Sequence, residues 1–225
     1  EDKELEVYRK KFGDKVVVFD KKAAAKTFDN GDNFGDRRAI AYARNACFGI
    51  AESLGIKYFI QLDDDYMTFA YKFNERFEYG EKRILNLDRV FDLIMRFYLS
   101  TPALSVAMAQ NGDFIGGKKS KFAREVKLRR KCMNTFFCSV DRTFQFVGRV
   151  NEDVNTYTCL AAKGDLFLTV PNVAINQVQT QKGKGGMSEM YLDSGTYVKS
   201  FYSVMYSPSS VSIGEMGHKH RRIHH

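Results

Sequence analysis

Hydrophobic positions along the chain switch between a helical and a strand period, and each switch predicts an element. Residues 3–12 predict a short amphipathic helix, and the β-branched and aromatic run Lys15–Phe19 predicts a strand. A polar stretch full of turn-forming residues follows, Asp29–Asp36. Ala43, Ala46, Cys47, Ile50, Ala51 and Leu54 then share one helix face, with Gly55 at the position of a C-terminal cap. Lys57–Leu62 predicts a strand directly after that cap.

The same rhythm continues downstream. Leu87, Val90, Phe91, Leu93, Ile94 and Phe97 predict a helix over about 86–99, ended by Thr101-Pro102. Strands are predicted at Leu104–Ala109, Thr135–Val140 and Leu166–Val170, a turn at Asn111–Asp113, and a helix at Glu152–Lys163. Helices that lead within a few residues into mostly apolar strands predict an α/β domain, its sheet covered by helices on both faces. The last quarter changes character: Gln177–Gly186 is a polar loop, and a His- and Arg-rich end follows. Such segments sit over a site or hang free. With no repeat and no linker, the chain is expected to form one domain over residues 1–225.

Composition narrows the class. The 225 residues are 44% hydrophobic and 28% charged, enough for a core without disulfide staples and too apolar for a disordered chain. No apolar run approaches the roughly 18–20 residues of a membrane span, so a soluble, unsecreted protein with no membrane partner is expected. Cys47, Cys132, Cys138 and Cys159 fall at spacings of 85, 6 and 21, none of them a zinc or thioredoxin pattern, which predicts reduced thiols in a cytoplasm.

The formal charge of +8 is unevenly placed. Eight basic residues lie between Lys118 and Lys131, among them Lys118, Lys119, Lys121, Lys127, Arg129 and Arg130, against the single acid Glu125. Such a stripe is either a footprint for phosphates or a solvated helix face.

Three runs carry candidate chemistry. Asp63-Asp64-Asp65-Tyr66 lands at the carboxyl end of a predicted strand, where open α/β sheets bind ligands. Three adjacent carboxylates repel one another, and a hard Mn²⁺ or Mg²⁺ offsets that cost while completing its shell with phosphate oxygens; the alternative is an acidic loop capping a helix. Upstream, Arg37, Arg38 and Arg44 are placed to reach a diphosphate at that strand end. Glu152 and Asp153 open a helix, where acids suit the dipole, and where a carboxylate can also take a proton from an attacking hydroxyl. The histidines cluster at the end. His218 or His220 can finish a metal shell, whereas the terminal pair His224-His225 equally suits a purification tag.

In this order, Arg44-Asn45, the helix ending at Gly55, the apolar strand, Asp63–Asp65 and the distant Glu152-Asp153 resemble the GT-A fold of nucleotide-sugar-dependent glycosyltransferases. More narrowly, the DDDY run, the QTQKGKGG segment and the basic end resemble bacteriophage glycosyltransferases of hypermodified DNA. The resemblance implies a GT-A-like, Rossmann-type mixed sheet flanked by helices, its nucleotide-sugar half at about 1–110 and its acceptor half at about 111–225. It places the DxD metal motif at Asp63 and Asp65, with Asp64 between them beside the nucleotide sugar, and the base of an inverting enzyme at Asp153, with Glu152 beside it. Nothing ahead of Val16 matches the family's uridine-holding first strand. Either that strand is lost from the sequence or Val16–Asp20 takes over its work.

The implied activity is metal-dependent transfer from a UDP-sugar to 5-hydroxymethylcytosine, or to its glycosylated form, in phage DNA within the infected host's cytoplasm. Phosphate contacts then come from the stripe at 118–131, from Lys182 and Lys184, and from the tail Lys219, Arg221 and Arg222. Two rivals remain: a GT-A enzyme acting on a polysaccharide or lipid-linked acceptor, and a non-catalytic nucleic-acid-binding module.

Overall fold

A computed structural model describes residues 3–32, 39–119, 131–177, 188–217 and 219–224. Helix α1 (Lys3–Phe12) and a short α2 (Lys21–Ala24) precede α3 (Ala41–Ser53), which feeds strand β1 (Tyr58–Gln61). Gly55, at φ +67°, supplies the left-handed residue that turns the chain out of α3 and into β1. Strands β2 (Tyr66–Phe73) and β3 (Tyr79–Arg83) form a hairpin, followed by α4 (Leu87–Leu99), β4 (Ser105–Gln110) and β5 (Phe136–Ser139). Helix α5 (Glu152–Ala161), β6 (Phe167–Gln177), α6 (Ser188–Tyr206) and the hairpin β7 (Val211–Met216) and β8 (Lys219–His224) complete the order.

The main sheet has the order β1-β5-β4-β6-β2-β3 and is mixed: β4 and β6 are parallel, and the other pairs are antiparallel. Period-two alternation sends neighbouring side chains to opposite faces. On one face Val106, Met108, Phe137 and Ile175 pack with Val90, Ile94 and Tyr98 of α4. On the other, Ala107, Phe136, Cys138 and Phe167 pack with Phe48 of α3, with Tyr157 and Leu160 of α5 at the margin. Helices therefore cover both faces, consistent with the GT-A-like architecture the resemblance implied. Helix α4 starts where its sequence says it should, with Asn86 Oδ1 accepting the Arg89 N–H at 3.0 Å.

Four elements differ from expectation. Val16–Phe19 joins no sheet: a 3-10 turn ends at Lys15, and Val17 and Val18 are exposed. Strand propensity is realised only where a neighbouring backbone pairs with it, so the expected substitute for the first strand is not formed. Strand β6 runs seven residues past Val170, because Pro171, which lacks an N–H, sits in a register shift where the partner of β4 jumps from Val170 to Ala174. The β2–β3 hairpin was not anticipated. Nor was the end of the chain, where α6 and the β7–β8 hairpin replace the predicted tail. Gly195, at φ +68°, breaks α6 into two helical pieces.

Among the described residues no helix is long and apolar enough to cross a membrane. The four cysteines are free thiols, with Cys132 and Cys138 buried.

Candidate active site

The acidic run Asp63–Asp65 occupies the turn between β1 and β2, at the edge where β1, β4 and β6 end and β2 begins. Arg44, on α3, is 5% exposed. One terminal nitrogen reaches both Asp63 oxygens at 3.0 and 3.1 Å, and the other lies 2.9 Å from Glu152 Oε1. Its guanidinium also stands 4.9 Å from the Phe136 ring centroid and 5.4 Å from that of Phe146. These carboxylates hold the Arg44 pKa above its ordinary value against the opposing effect of burial. Arg44 thus ties the β1–β2 turn to the start of α5.

Asn45, next to it, secures the segment between. Its amide donates to the Phe146 carbonyl at 2.9 Å and its carbonyl accepts the Phe146 N–H at 2.7 Å, so one side chain pairs with that backbone like a strand neighbour. Gln61 of β1 donates to the Arg44 carbonyl at 3.1 Å. The Arg44-Asn45 dipeptide therefore fixes both acidic segments relative to α3.

Helix α5 begins at Asn151, which adopts φ +55° and donates its side-chain amide to the Lys199 carbonyl. A left-handed asparagine is tolerated where its short polar side chain finds a local partner. Glu152 is buried, and burial pushes its carboxyl up to about 7 even though Arg44 works the other way. Asp153 is raised as well, first by burial, with Arg44 and Arg222 opposing; its Oδ1 accepts the Val154 N–H at 2.7 Å. Here desolvation outweighs the favourable helix dipole. A carboxylate with a raised pKa is a better proton acceptor once ionised, the property a general base needs.

Asp65 shares the raised pKa but lacks a partner for one oxygen. Its Oδ1 is buried without a hydrogen-bond partner, and its pKa is raised by burial and by the charges of Asp63 and Asp64. An orphaned carboxylate oxygen crowded by two like charges fits a divalent cation, which prefers hard oxygen ligands. Among the described residues no group of three or more His, Cys, Asp or Glu side chains is placed to hold a metal ion by itself. The fit is to one or two protein carboxylates, an ion completing its shell from substrate and water. Tyr66, which follows Asp65, accepts the Thr135 N–H at 3.2 Å and anchors the turn to β5.

The remaining expected residues fall elsewhere. His220 is held on α6, where its ring lies 3.3 Å from Thr196 Oγ1 and edge-on to Tyr197 at 5.2 Å. Lys118 and Lys119 are exposed on the 3-10 turn after β4. Arg37, Arg38, Lys121, Lys127, Arg129, Arg130, Lys182, Lys184 and His218 lie outside the described residues. Lys199 and Arg222 come close enough to act electrostatically on Asp153, and Tyr157 feels the charges of both Asp153 and Arg222. No periodicity singled out Lys199 or Tyr157, because their neighbourhood is created by α6 and β8 folding back onto α5.

The family model for TET-associated glycosyltransferases matches residues 1–186, which include every residue of the Arg44, Asp63–Asp65 and Glu152-Asp153 constellation. The chain belongs to that family. It is a glycosyltransferase, and membership ties it to the modification of DNA. The idea of a non-catalytic binding module is thereby set aside. Nothing among the curated proteins or the solved structures matches the chain. Helix α6 and the β7–β8 hairpin lie beyond the part matched to the TET-associated glycosyltransferases.

Proposed function

We propose that this TET-associated glycosyltransferase moves a sugar from a UDP-sugar to 5-hydroxymethylcytosine, or to its glycosylated form, in bacteriophage DNA, with inversion at the anomeric carbon. The observation that carries the reading is the bridging, through Arg44, of two acidic segments whose buried carboxylates differ in their partners. Asp65 presents an oxygen that lacks a partner, and Asp153 presents a carboxylate primed to accept a proton.

Asp63 and Asp65 are the residues that would hold Mn²⁺ or Mg²⁺. Such an ion, when bound, neutralises charge on the departing diphosphate. Asp153 takes the proton of the acceptor hydroxyl as it attacks, since a primary alcohol is a poor nucleophile while it keeps that proton. Glu152 and Arg44 hold their positions by pairing with each other, and so set the distance between the two walls of the site. Lys118 and Lys119 offer exposed cations for backbone phosphates. Flipping the target nucleotide out of the stack costs a few kcal/mol, which phosphate contacts offset.

The test is incubation with Mn²⁺ and a panel of UDP-sugars on duplex DNA with and without hydroxymethylcytosine, followed by nucleoside mass. A mass gain on modified DNA alone, lost in Asp65→Ala, is the expected result. Consumption of the UDP-sugar with no gain on any DNA overturns the DNA acceptor and leaves a polysaccharide or lipid-linked one.

A further inference from the structure

We infer that Arg222 of β8 and Lys199 of α6 form a phosphate-binding pair on the Asp153 side of the active site. The hairpin is seated on α6 by definite contacts. The His220 N–H donates to Thr196 Oγ1 at 2.9 Å, and Ser200 Oγ donates to the His220 carbonyl at 3.4 Å. Side chains two apart on a strand share a face, so Arg222 projects from the same side of β8 as His220, toward α6. One residue before Ser200 on α6 is Lys199, half-buried, whose carbonyl accepts the amide of Asn151. Asn151 in turn begins the helix that presents Asp153. Three elements thus converge on one spot: the start of α5, the middle of α6 and the far end of β8.

Asp153 and Glu152 both act on Lys199 and favour its charge, whereas Arg222 pushes the Lys199 pKa down in the same direction as burial does; Arg222 also acts on Asp153. Arg222 Nη1 is buried and has no hydrogen-bond partner. An unsatisfied buried donor on a charged group is costly, and placing a second cation beside it adds to that cost. A ligand that brings two or more anionic oxygens removes both penalties, and the planar guanidinium suits a phosphate in geometry as well as charge.

This inference rests on the glycosyl transfer proposed above for the identity of the ligand. The phosphoryl oxygens belong either to the diphosphate of the nucleotide sugar or to the DNA backbone beside the acceptor base. Neither cation lies in the part matched by the family model, so the pair is a feature of this chain's own C-terminal elements.

The experiment titrates the full chain, with Mg²⁺ present, against inorganic pyrophosphate and UDP by calorimetry, and against hydroxymethylcytosine DNA by fluorescence anisotropy over a range of salt. The proteins compared are wild type, Arg222→Gln, Lys199→Gln, the charge-preserving Arg222→Lys, and Arg96→Gln as a control on the exposed face of α4. Loss of pyrophosphate and UDP affinity by tenfold or more in Arg222→Gln, partial rescue in Arg222→Lys and DNA binding held within twofold assigns the pair to the donor diphosphate. Unchanged pyrophosphate binding, with weaker DNA binding and a salt slope reduced by about 1, assigns it to a backbone phosphate. If no arm moves more than twofold in any variant that keeps its melting temperature within 3 °C, on the order of the shift from 1 kcal/mol, the inference is wrong. Phosphate binding that depends on Arg222 in a protein that glycosylates no DNA sinks the proposed function and leaves this site standing. Glycosylation with no phosphate effect does the reverse.

Discussion

Replacing Arg44 with methionine separates the electrostatic part of its role from its bulk. Methionine keeps an unbranched chain between the Phe136 and Phe146 rings, but leaves Asp63 and Glu152 without their shared cation. Removing one partner of a buried ion pair costs about 3–5 kcal/mol, because the surviving charge stays desolvated. Asp63 is 28% exposed along its side chain and recovers part of its solvation, whereas Glu152 at 11% does not. The cost therefore depends on the protonation of Glu152. Its carboxyl is pushed up to about 7 in the folded protein, so its contribution to stability is full below the ordinary carboxylate value and is lost as pH rises through about 7.

At pH 5 Glu152 is mostly neutral with or without Arg44, and the variant forfeits mainly the contact with Asp63, about 1.5–3 kcal/mol for a hydrogen bond to a charged group. At pH 8 wild-type Glu152 is ionised and paired, and the variant pays about 3–5 kcal/mol, a large share of a typical 5–15 kcal/mol stability. Urea unfolding of the metal-free protein at both pH values, with the slope held constant, measures the difference. A loss that is the same at pH 5 and pH 8, or below about 1 kcal/mol at both, refutes the view that Arg44 is held by charge.

Asp153→Asn is expected to lower kcat by about 10²–10⁴ while the KM for the UDP-sugar changes little, as for removal of a general base. Because burial raises the Asp153 pKa, the acid limb of the wild-type rate profile lies above the usual carboxylate range, and the base works only once pH has passed it. Asp32→Ala breaks the pair in which Asp32 accepts the Arg149 side chain at 2.7 Å, with Arg149 3% exposed. A loss of about 3 kcal/mol, read as a fall of roughly 6–12 °C in melting temperature, is expected. Asn86→Ala removes the α4 cap and lowers stability by about 1 kcal/mol with no change in sugar transfer.

The sequence showed the elements whose stability is local. The periodicity of α4, the Gly55 cap and the acidic run at the end of β1 all follow from neighbouring residues, and each appears within a few positions of where it was expected. Arg44 was legible as a basic residue near that run, but its enclosure between Phe136 and Phe146 was not. Those rings lie about a hundred residues downstream, brought in by the Asn45 clamp on Phe146. The valines after Lys15 show the converse failure, strand formers with no strand to join. Lys199 and Arg222 gave no local signal of a shared position, since their neighbourhood depends on a hairpin folding back across a helix.

The grip of α6 on the start of the chain has a consequence for biosynthesis. Tyr202 donates its hydroxyl to Asp32, 170 positions away along the sequence, and Tyr206 donates to the Asp29 carbonyl at 3.1 Å, 177 positions away. Contacts of such separation close late, after their loops have been paid for in entropy. A polypeptide made only as far as the end of β6 has the strands of its main sheet but not these phenols, and Asp32 waits beside Arg149 with one donor fewer. A chain cut ahead of Tyr202 should therefore be more protease-sensitive than one that carries both phenols.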